Sequence, residues 1–280
     1  MSKIAIVTDT SCDLPAALLA RLNVTTVPLV VRFGERTFLD TELSREEFWR
    51  LAEKVLPSTS GASLGYFVSA FQKLVDQGYH VLCLTLTSRH STVHNSAHTA
   101  AREFPGKVTV VDSQSLSYGL GWQVLAAAEA AAKGLPLEEI LKIIENVRSR
   151  ITIQMVLDTL SFLRRGGRAD HFISLIEKAT RTLNIKPILG LSAGELRLIS
   201  LSRTWEQALR RILNDFAQRA PFEAIAIGHT QRQERAERFA QELARAVGFP
   251  VEQVAIFEPS VAVASHSGPG LMAALGLSKA

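Results

Sequence analysis

The sequence predicts a two-domain α/β protein, with a parallel sheet in the N-terminal domain and a mixed sheet in the C-terminal domain. Its length of 280 residues suits two domains of about 100–200 residues each. Strand-like and helix-like segments alternate as far as residue 148, which is typical of a parallel sheet. A hairpin pattern then interrupts the alternation. We therefore expect domains at residues 1–148 and 149–280.

The predicted N-terminal strands are short apolar runs that do not alternate with polar residues. Such runs suit strands that are buried on both faces. They occur at Ile4–Val7, His80–Leu86 and Val108–Val111. Directly after the first run, Thr10-Ser11-Cys12-Asp13 has the spacing of a capping box, and Pro15 would be tolerated in the first helical turn.

Two further N-terminal segments have clear helix signals. Ser44–Lys54 begins with a capping serine, and Glu47 follows three residues later. Gly119–Lys133 is rich in alanine, which favours a helix, and Gly134 is expected to end it.

The C-terminal half combines a hairpin with α/β alternation, which predicts the mixed sheet. Pro187–Leu191 and Glu195–Leu201 read as strands joined by the turn Ser192-Ala193-Gly194. The other predicted elements are strands at Ile151–Leu157, Glu223–Ile227 and Val251–Phe257, helices at Trp205–Arg219 and Gln231–Val247, and a closing helix that begins within Gly268–Leu275.

The composition excludes several classes of protein. With 47% hydrophobic and 21% charged residues, the chain is globular rather than disordered. The net charge of +4 is mild, and the C-terminal arginines alternate with glutamates, so we expect no nucleic-acid partner. Cys12 and Cys83 are too few for a disulfide framework or a four-sulfur zinc site. The absence of a signal-like or membrane-spanning apolar segment predicts a cytoplasmic protein.

Loops rich in hydroxyl groups follow several of the predicted strands. In an open α/β sheet, ligands bind at the ends of such strands. A single loop of this kind is typical of a helix cap, but five together favour a small anionic group, either a phosphate or a carboxylate. The loops are Thr8-Asp9-Thr10-Ser11, Ser58-Thr59-Ser60, Thr85-Leu86-Thr87-Ser88, Asp112-Ser113-Gln114-Ser115 and Ser265-His266-Ser267-Gly268-Pro269-Gly270.

Common nucleotide and hydrolase motifs are absent. The chain has no G-x-G-x-x-G after its first strand, no P-loop and no G-x-S-x-G elbow. We interpret Cys12 as a small residue of a capping turn. His90, His94 and His98 would share one face of a helix over Ser91–Phe104, and we interpret them as a solvated polar face rather than a metal site.

The run Leu163–Arg168 contains two glycines and three arginines. Glycines let the backbone approach a ligand closely, and guanidinium groups pair with carboxylate or phosphate oxygens. Together with His266, which precedes Gly-Pro-Gly, this run predicts the cationic side of an anion site.

An ordered set of motifs spanning the whole chain resembles the DegV family, whose studied members bind fatty acids. Each motif alone is weak, but their common order is specific. The motifs are Ile6-Val7-Thr8-Asp9-Thr10, Pro57–Ser63, Thr87–Ala97, Val111-Asp112-Ser113, Leu163–Arg168, Ile185–Leu189 and His266–Gly270.

The resemblance implies a lipid-binding protein without a cofactor, metal or catalytic residue of its own. A long-chain fatty acid would lie in a buried tunnel with its carboxylate at the domain interface. A separate fatty acid kinase subunit would then form the acyl phosphate, with transient membrane contact for lipid exchange. The residues implied for the carboxylate are Thr59, Ser60, Ser91 and His266, and those implied for added phosphate charge are Arg168, Arg203 and His266.

This sequence departs from the family pattern in the two loops near the expected carboxylate. Gly61-Ala62 replace the usual Gln-Pro. In the second loop His90, Thr92, Val93 and His94 replace Leu, Gly, Thr and Tyr. We expect the departures to change the loop shape around the head group and hence the preferred acyl chain.

Two other functions fit the same residues. A stand-alone phosphatase or phosphotransferase would use Arg168 and His266 on a small phosphoester, and would turn over without a partner. A lipid-sensing regulator would bind a fatty acid as a signal and would have no kinase partner.

Overall fold

Two sheets organise the chain, a parallel sheet in its N-terminal part and a mixed sheet in its C-terminal part, which confirms the predicted fold class. The computed structural model describes residues 3–165 and 185–280. The chain divides into two compact units. Unit 1 comprises Met1–Ser149, Ala193–Glu195 and Ser260–Ala262, and unit 2 comprises the remaining residues. The contiguous boundary between residues 148 and 149 stays a prediction.

Unit 1 alternates strands and helices along most of its length. In chain order its elements are β1 (Ile4–Asp9), a 3-10 turn (Thr10–Cys12), α1 (Ala16–Arg21), β2 (Thr25–Val27), β3 (Val30–Phe33), β4 (Arg36–Leu39), α2 (Arg45–Ala52), β5 (Ser58–Gly61), α3 (Leu64–Asp76), β6 (His80–Thr85), α4 (Val93–Ala101), β7 (Val108–Asp112), α5 (Tyr118–Ala132) and α6 (Leu137–Ser149).

The main sheet of unit 1 has the strand order β2-β1-β6-β7, and all of its pairs are parallel. Val7, Leu82 and Cys83 are fully buried in its central strands, as expected for strands covered on both faces. Helices α3, α4 and α5 pack against these strands. The three short apolar runs therefore correctly predict β1, β6 and β7.

A second, antiparallel sheet in unit 1 has the order β4-β3-β5 and was not predicted. Its strands have four residues each, and only β3 is strongly apolar. Gly34, with φ 58°, forms the turn between β3 and β4. Strands this short give too few alternations for a clear pattern.

The predicted capping box after β1 is wrong. Thr10–Cys12 form a 3-10 turn whose N-cap is Asp9, and the side chain of Asp9 accepts from the backbone N–H of Ser11. Asp13 then takes the left-handed conformation, with φ 55°, which ends the turn. Helix α1 begins only after Pro15, which serves as its N-cap.

Unit 2 is built on the mixed sheet. Its elements are β8 (Ile151–Val156), α7 (Ser161–Arg165), β9 (Lys186–Ser192), β10 (Glu195–Ser202), α8 (Trp205–Ala217), β11 (Phe222–His229), α9 (Gln233–Val247), a 3-10 turn (Val251–Gln253), β12 (Ala255–Phe257), α10 (Val261–Ser267) and β13 (Met272–Ser278). The first residues of β10 and α10 belong to unit 1.

The sheet order is β10-β9-β8-β13-β11-β12. Strands β11 and β12 pair in parallel, whereas β13 pairs antiparallel with β11 and β8, and β8 pairs antiparallel with β9. Helices α8 and α9 bury Ile212, Phe216 and Phe239 against it in one apolar core. The predicted hairpin between β9 and β10 is confirmed, with Ala193 and Gly194 at positive φ in its turn.

Two C-terminal predictions are wrong. The closing helix expected within Gly268–Leu275 is instead strand β13, which pairs antiparallel with both β8 and β11. Leu, Met and Ala favour helices in isolation, but here burial on both faces and pairing on both edges decide the conformation. The strand expected over Val251–Phe257 is only β12, because a 3-10 turn occupies its first half.

The described helices include none that combines the length and the apolar character needed to cross a membrane.

Candidate functional site

The topological switch point of the parallel sheet lies between β1 and β6. From β1 the chain continues to β2 on one side, whereas β6 and β7 lie on the other side. Loops at the carboxyl ends of strands diverge at such a point and leave room for a ligand. The switch point is therefore flanked by the residues after Asp9 and after Thr85.

Asp9 is the last residue of β1 and lies at the switch point. Its Oδ2 accepts from the Leu86 N–H at 2.8 Å, and its Oδ1 accepts from the N–H and the hydroxyl of Ser11. The side chain is fully buried, and burial raises the pKa of Asp9 despite these hydrogen bonds. Asp9 thus joins the two strand ends and is already occupied by protein donors.

Two more acidic side chains surround the same strand end. Asp40 accepts from the Thr10 hydroxyl at 2.5 Å and from the Leu29 N–H at 2.9 Å. Burial raises the pKa of Asp40 to about 6. Sequence reasoning missed Asp40, because it follows the short strand β4 and no local motif links it to Thr10.

Asp13 is the third of these carboxyl groups. Its Oδ1 accepts from the Ser260 N–H at 2.8 Å, within unit 1. The residue reaches the surface, but its Oδ2 is buried. Burial raises the pKa of Asp13 to about 7, and the nearby charge of Arg45 opposes that rise.

The loop between β6 and α4 carries the candidate residue Ser91. Val93 N–H donates to the Ser91 Oγ at 3.2 Å, at the start of the helix, while the N-cap Thr92 makes no side-chain cap. A hydroxyl that accepts in this way keeps its O–H for a ligand. Ser91 is half-buried. It therefore combines a capping contact with an available donor.

Thr87 holds this loop in place. Its N–H donates to the Ser115 carbonyl, and its hydroxyl donates to the Gly194 carbonyl, both at 2.9 Å. A side chain at Gly194 would collide with the Thr87 hydroxyl, because its Cβ would overlap the Thr87 Oγ1. The base of the Ser91 loop is thus anchored to two other segments of unit 1.

The candidate residues Thr59 and Ser60 lie on β5, in the antiparallel sheet. Val31 pairs with Thr59 and Val30 with Gly61, so Ser60 is the extra residue of a β-bulge. Thr59 is half-buried and Ser60 is exposed. The structure therefore places these residues in the same unit as Ser91 but on a different sheet.

The candidate residue His266 belongs to unit 2, near the end of α10, and is half-buried. The turn that follows is held by the buried Thr230, whose hydroxyl donates to the Gly268 carbonyl and accepts from the Leu271 N–H. Gly270 has φ 80°, and its Cβ would lie 2.7 Å from that of Asp158. Glycine is required there by both conformation and space.

The remaining two candidate residues are Arg203 and Arg168. Arg203 is exposed just before α8, and its N–H donates to the Gln207 Oε1 at 3.2 Å. Arg168 lies outside the described residues.

A polar cluster centred on Asp158 follows β8 and was not identified from the sequence. Lys186 Nζ lies 2.7 Å from Asp158 Oδ1, and Trp205 Nε1 donates to the same oxygen at 3.3 Å. The Arg235 guanidinium stacks on the Trp205 ring, 4.7 Å from its centroid. Because Asp158 also packs under Gly270, this cluster supports the turn after His266.

Across residues 3–165 and 185–280, no group of three or more His, Cys, Asp or Glu side chains has the arrangement of a metal site.

Residues 3–279 match a family model described as an uncharacterised protein of the DegV family. The chain belongs to the DegV family. A DegV domain-containing protein of Caldanaerobacter subterraneus is 33% identical over 282 residues, which cover 96% of each chain.

Solved DegV structures share the fold. One is a DegV family protein from Thermus thermophilus for which fatty acid binding is described. It has a TM-score of 0.86 at 33% identity, and the match covers 99% of this chain and 100% of that one. The fatty acid binding DegV family protein from Streptococcus agalactiae has a TM-score of 0.89 at 27% identity, with 100% of both chains covered. The predicted family is confirmed.

Proposed function

We propose that this DegV protein binds a long-chain fatty acid, whose carboxylate accepts hydrogen bonds from hydroxyl groups of unit 1. The observation that carries the proposal is Ser91, which lies in a loop flanking the switch point and keeps an O–H donor available at the start of α4. The fatty acid binding named for the Thermus and Streptococcus relatives supports the same ligand class.

Hydroxyl donors suit a carboxylate that must later react. Neutral donors satisfy the anion without holding it as strongly as a guanidinium would. The N-terminus of α4 adds favourable backbone charge beside Ser91. Thr59 and Ser60, at the bulge of β5, complete the proposed set of hydroxyls.

Most of the binding energy would come from the acyl chain in an apolar tunnel. Each buried methylene contributes ~0.8 kcal/mol, so a long chain contributes on the order of 10 kcal/mol before ordering costs. The carboxylate then needs hydrogen-bond donors that replace its lost water, but it need not add much binding energy.

The proposal extends to a separate kinase subunit that converts the bound acid to an acyl phosphate. Arg168, Arg203 and His266 would stabilise the added negative charge, because a phosphoryl group in transfer carries more charge than a carboxylate.

Mass spectrometry of an organic extract tests the lipid proposal directly. We expect the purified protein to contain nearly stoichiometric long-chain fatty acid and to hydrolyse no phosphoester alone. A protein that is empty, and that takes up no added oleate or palmitate, would contradict the proposal. Phosphoester turnover without a partner would favour a stand-alone phosphatase.

The variant Ser91→Ala tests the head-group assignment. We expect lipid retention to fall, because the carboxylate loses a donor worth about 1–3 kcal/mol in a desolvated site. The matched control is Ser96→Ala, which makes the same change at a half-buried position of α4. Equal lipid content in both variants would contradict the assignment, and a lower melting temperature for Ser91→Ala alone would then show that Ser91 acts only as a helix cap.

A further inference from the structure

His94 and His98 lie one turn apart on α4, outside the residues used above. Their ring centroids are 6.3 Å apart, with an angle of 36° between the ring planes. Side chains four residues apart share one face of a helix, so both imidazoles point to the same region of space. His90 is not part of this face, because the helix begins at Val93 rather than at Ser91.

The structure contradicts the expected solvated face for His94. The residue is half-buried, and its Nδ1 lies 3.1 Å from the hydroxyl of Thr85, a fully buried residue at the end of β6. His98 one turn later is exposed. The pair thus combines one ring held by the sheet with one ring that is free to adjust.

The contact with Thr85 resembles the outer partner of a metal-binding histidine. When Nδ1–H donates to an oxygen, the tautomer is fixed and Nε2 carries the lone pair. Burial lowers the pKa of His94, with a smaller contribution from His98 and an opposing one from Asp112. Burial thus favours the neutral form of the ring, which is the form that binds metal ions.

We propose that His94 and His98 together bind one divalent late transition-metal ion, such as Ni²⁺, Cu²⁺ or Zn²⁺. Imidazole nitrogen suits these ions, and water would complete the coordination. A shared ion at about 2.1 Å from each nitrogen brings the ring centroids roughly 1 Å closer, an adjustment that exposed His98 can make. The negative charge of Asp112 near His94 favours the arrival of a cation.

The chemistry of the pair also predicts selectivity and pH dependence. Mg²⁺ and Ca²⁺ prefer oxygen ligands and should not compete. Protons compete with the metal for imidazole nitrogen, so the affinity should fall as the solution becomes more acidic. The proposal does not depend on lipid binding, since neither histidine belongs to the proposed carboxylate set.

Calorimetric titration of the tag-free, chelator-treated full chain with NiSO₄ and ZnSO₄ tests the proposal. We expect one saturable site in the wild type, and weaker binding in His94→Gln and His98→Gln. Loss of a ligand should weaken binding by at least the 10–100-fold typical of an outer partner, and Thr85→Val should lose about that much. MgSO₄ should give no binding.

The matched control is His80→Gln, because His80 also pairs with a threonine hydroxyl, that of Thr109, at 2.9 Å. We expect this variant to bind metal as the wild type does. Melting curves with and without metal provide a second readout: the metal should raise the melting temperature of the wild type and of His80→Gln by more than that of His94→Gln, His98→Gln or Thr85→Val. Equal affinity in the wild type and the His94→Gln/His98→Gln double variant would overturn the proposal, as would no binding by the wild type.

Discussion

Asp13 is a carboxyl group whose protonation differs between the folded and unfolded chain. Its pKa is about 7 in the folded protein, against an ordinary value of 3.8. The folded state therefore binds more protons than the unfolded state between these two pH values. By linkage, the contribution of Asp13 to stability is greatest below about pH 4 and decreases as the pH rises to about 7.

The variant Asp13→Asn should remove this pH dependence. We expect its stability relative to the wild type to increase from pH 4 to pH 8, by a few kcal/mol at most, because the amide carries no charge in the buried site. Urea unfolding at a series of pH values measures the difference. Asp76→Asn, at an exposed position of α3, is the control and should follow the wild type. Parallel curves for Asp13→Asn and the wild type would contradict the expectation.

Gly270→Ala should destabilise unit 2 for two reasons: the left-handed backbone conformation disfavours alanine, and the added Cβ would clash with Asp158. Gly270 has φ 80° and its Cβ would meet Asp158 at 2.7 Å, whereas Gly106 has φ 70° and open space around its Cβ. The control Gly106→Ala should therefore cost only the left-handed penalty of about 1–2 kcal/mol. Gly270→Ala should cost more, as measured by urea unfolding. Equal losses would mean that the turn after His266 relaxes freely.

At the residue scale, the sequence predicted those polar groups whose signal comes from neighbouring residues in the chain. The hydroxyl-rich loops that the sequence predicted after β1 and β6 flank the switch point of the parallel sheet in the structure. Asp40 and Asp158 were missed because their partners, Thr10 and Lys186, are far away in sequence. The hydroxyl pattern singled out the loop that contains Thr59 and Ser60, but the head-group role of Thr59, Ser60 and Ser91 came from the family resemblance and stays a proposal.

At the level of elements, buried strands were predicted best when β-branched residues formed them. β13 failed because the residues Met272–Leu275 are good helix formers, and the signal that overrides them is pairing with β8 and β11. That pairing involves strands more than 40 residues away along the chain, so no local pattern contains it. The small sheet β4-β3-β5 was missed because its strands are too short for a period.

Hydrogen exchange should rank the strands of the mixed sheet by position. β13 is hydrogen-bonded on both sides and almost wholly buried, so its amides should be among the slowest to exchange. β10 lies at the edge of the described sheet, and its outward residues Arg197, Ile199 and Leu201 are exposed. Its amides should exchange sooner, as measured by mass spectrometry of peptides. Faster exchange in β13 than in β10 would contradict the topology.

The whole molecule is organised into two units that are not contiguous in sequence. Unit 1 includes Ala193–Glu195 and Ser260–Ala262, which supply partners for Thr87 and Asp13. The sequence predicted two domains with a single boundary, because composition and periodicity reveal elements but not which distant turn completes a unit.

A fragment ending at Ser149 should consequently be less stable than unit 1 in the full chain. It lacks both the Gly194 carbonyl and the Ser260 N–H. Each lost hydrogen bond that leaves a buried group unpaired costs about 1–3 kcal/mol. Fluorescence of Trp49 and Trp122 during urea unfolding reports on unit 1. The reference is the full-length Trp205→Phe variant, because it lacks the tryptophan of unit 2. An unchanged midpoint in the fragment would show that these bonds are dispensable.

The link between Asp13 and Ser260 also has a consequence for the timing of synthesis. A ribosome makes β1 and its turn first, but the N–H that Asp13 accepts from is added 247 residues later. At about 5–20 residues per second, the interval is roughly 10–50 seconds. During that time the nascent chain can assemble the parallel sheet, yet the turn after its first strand must wait, incompletely bonded, for almost the last part of the message to be translated.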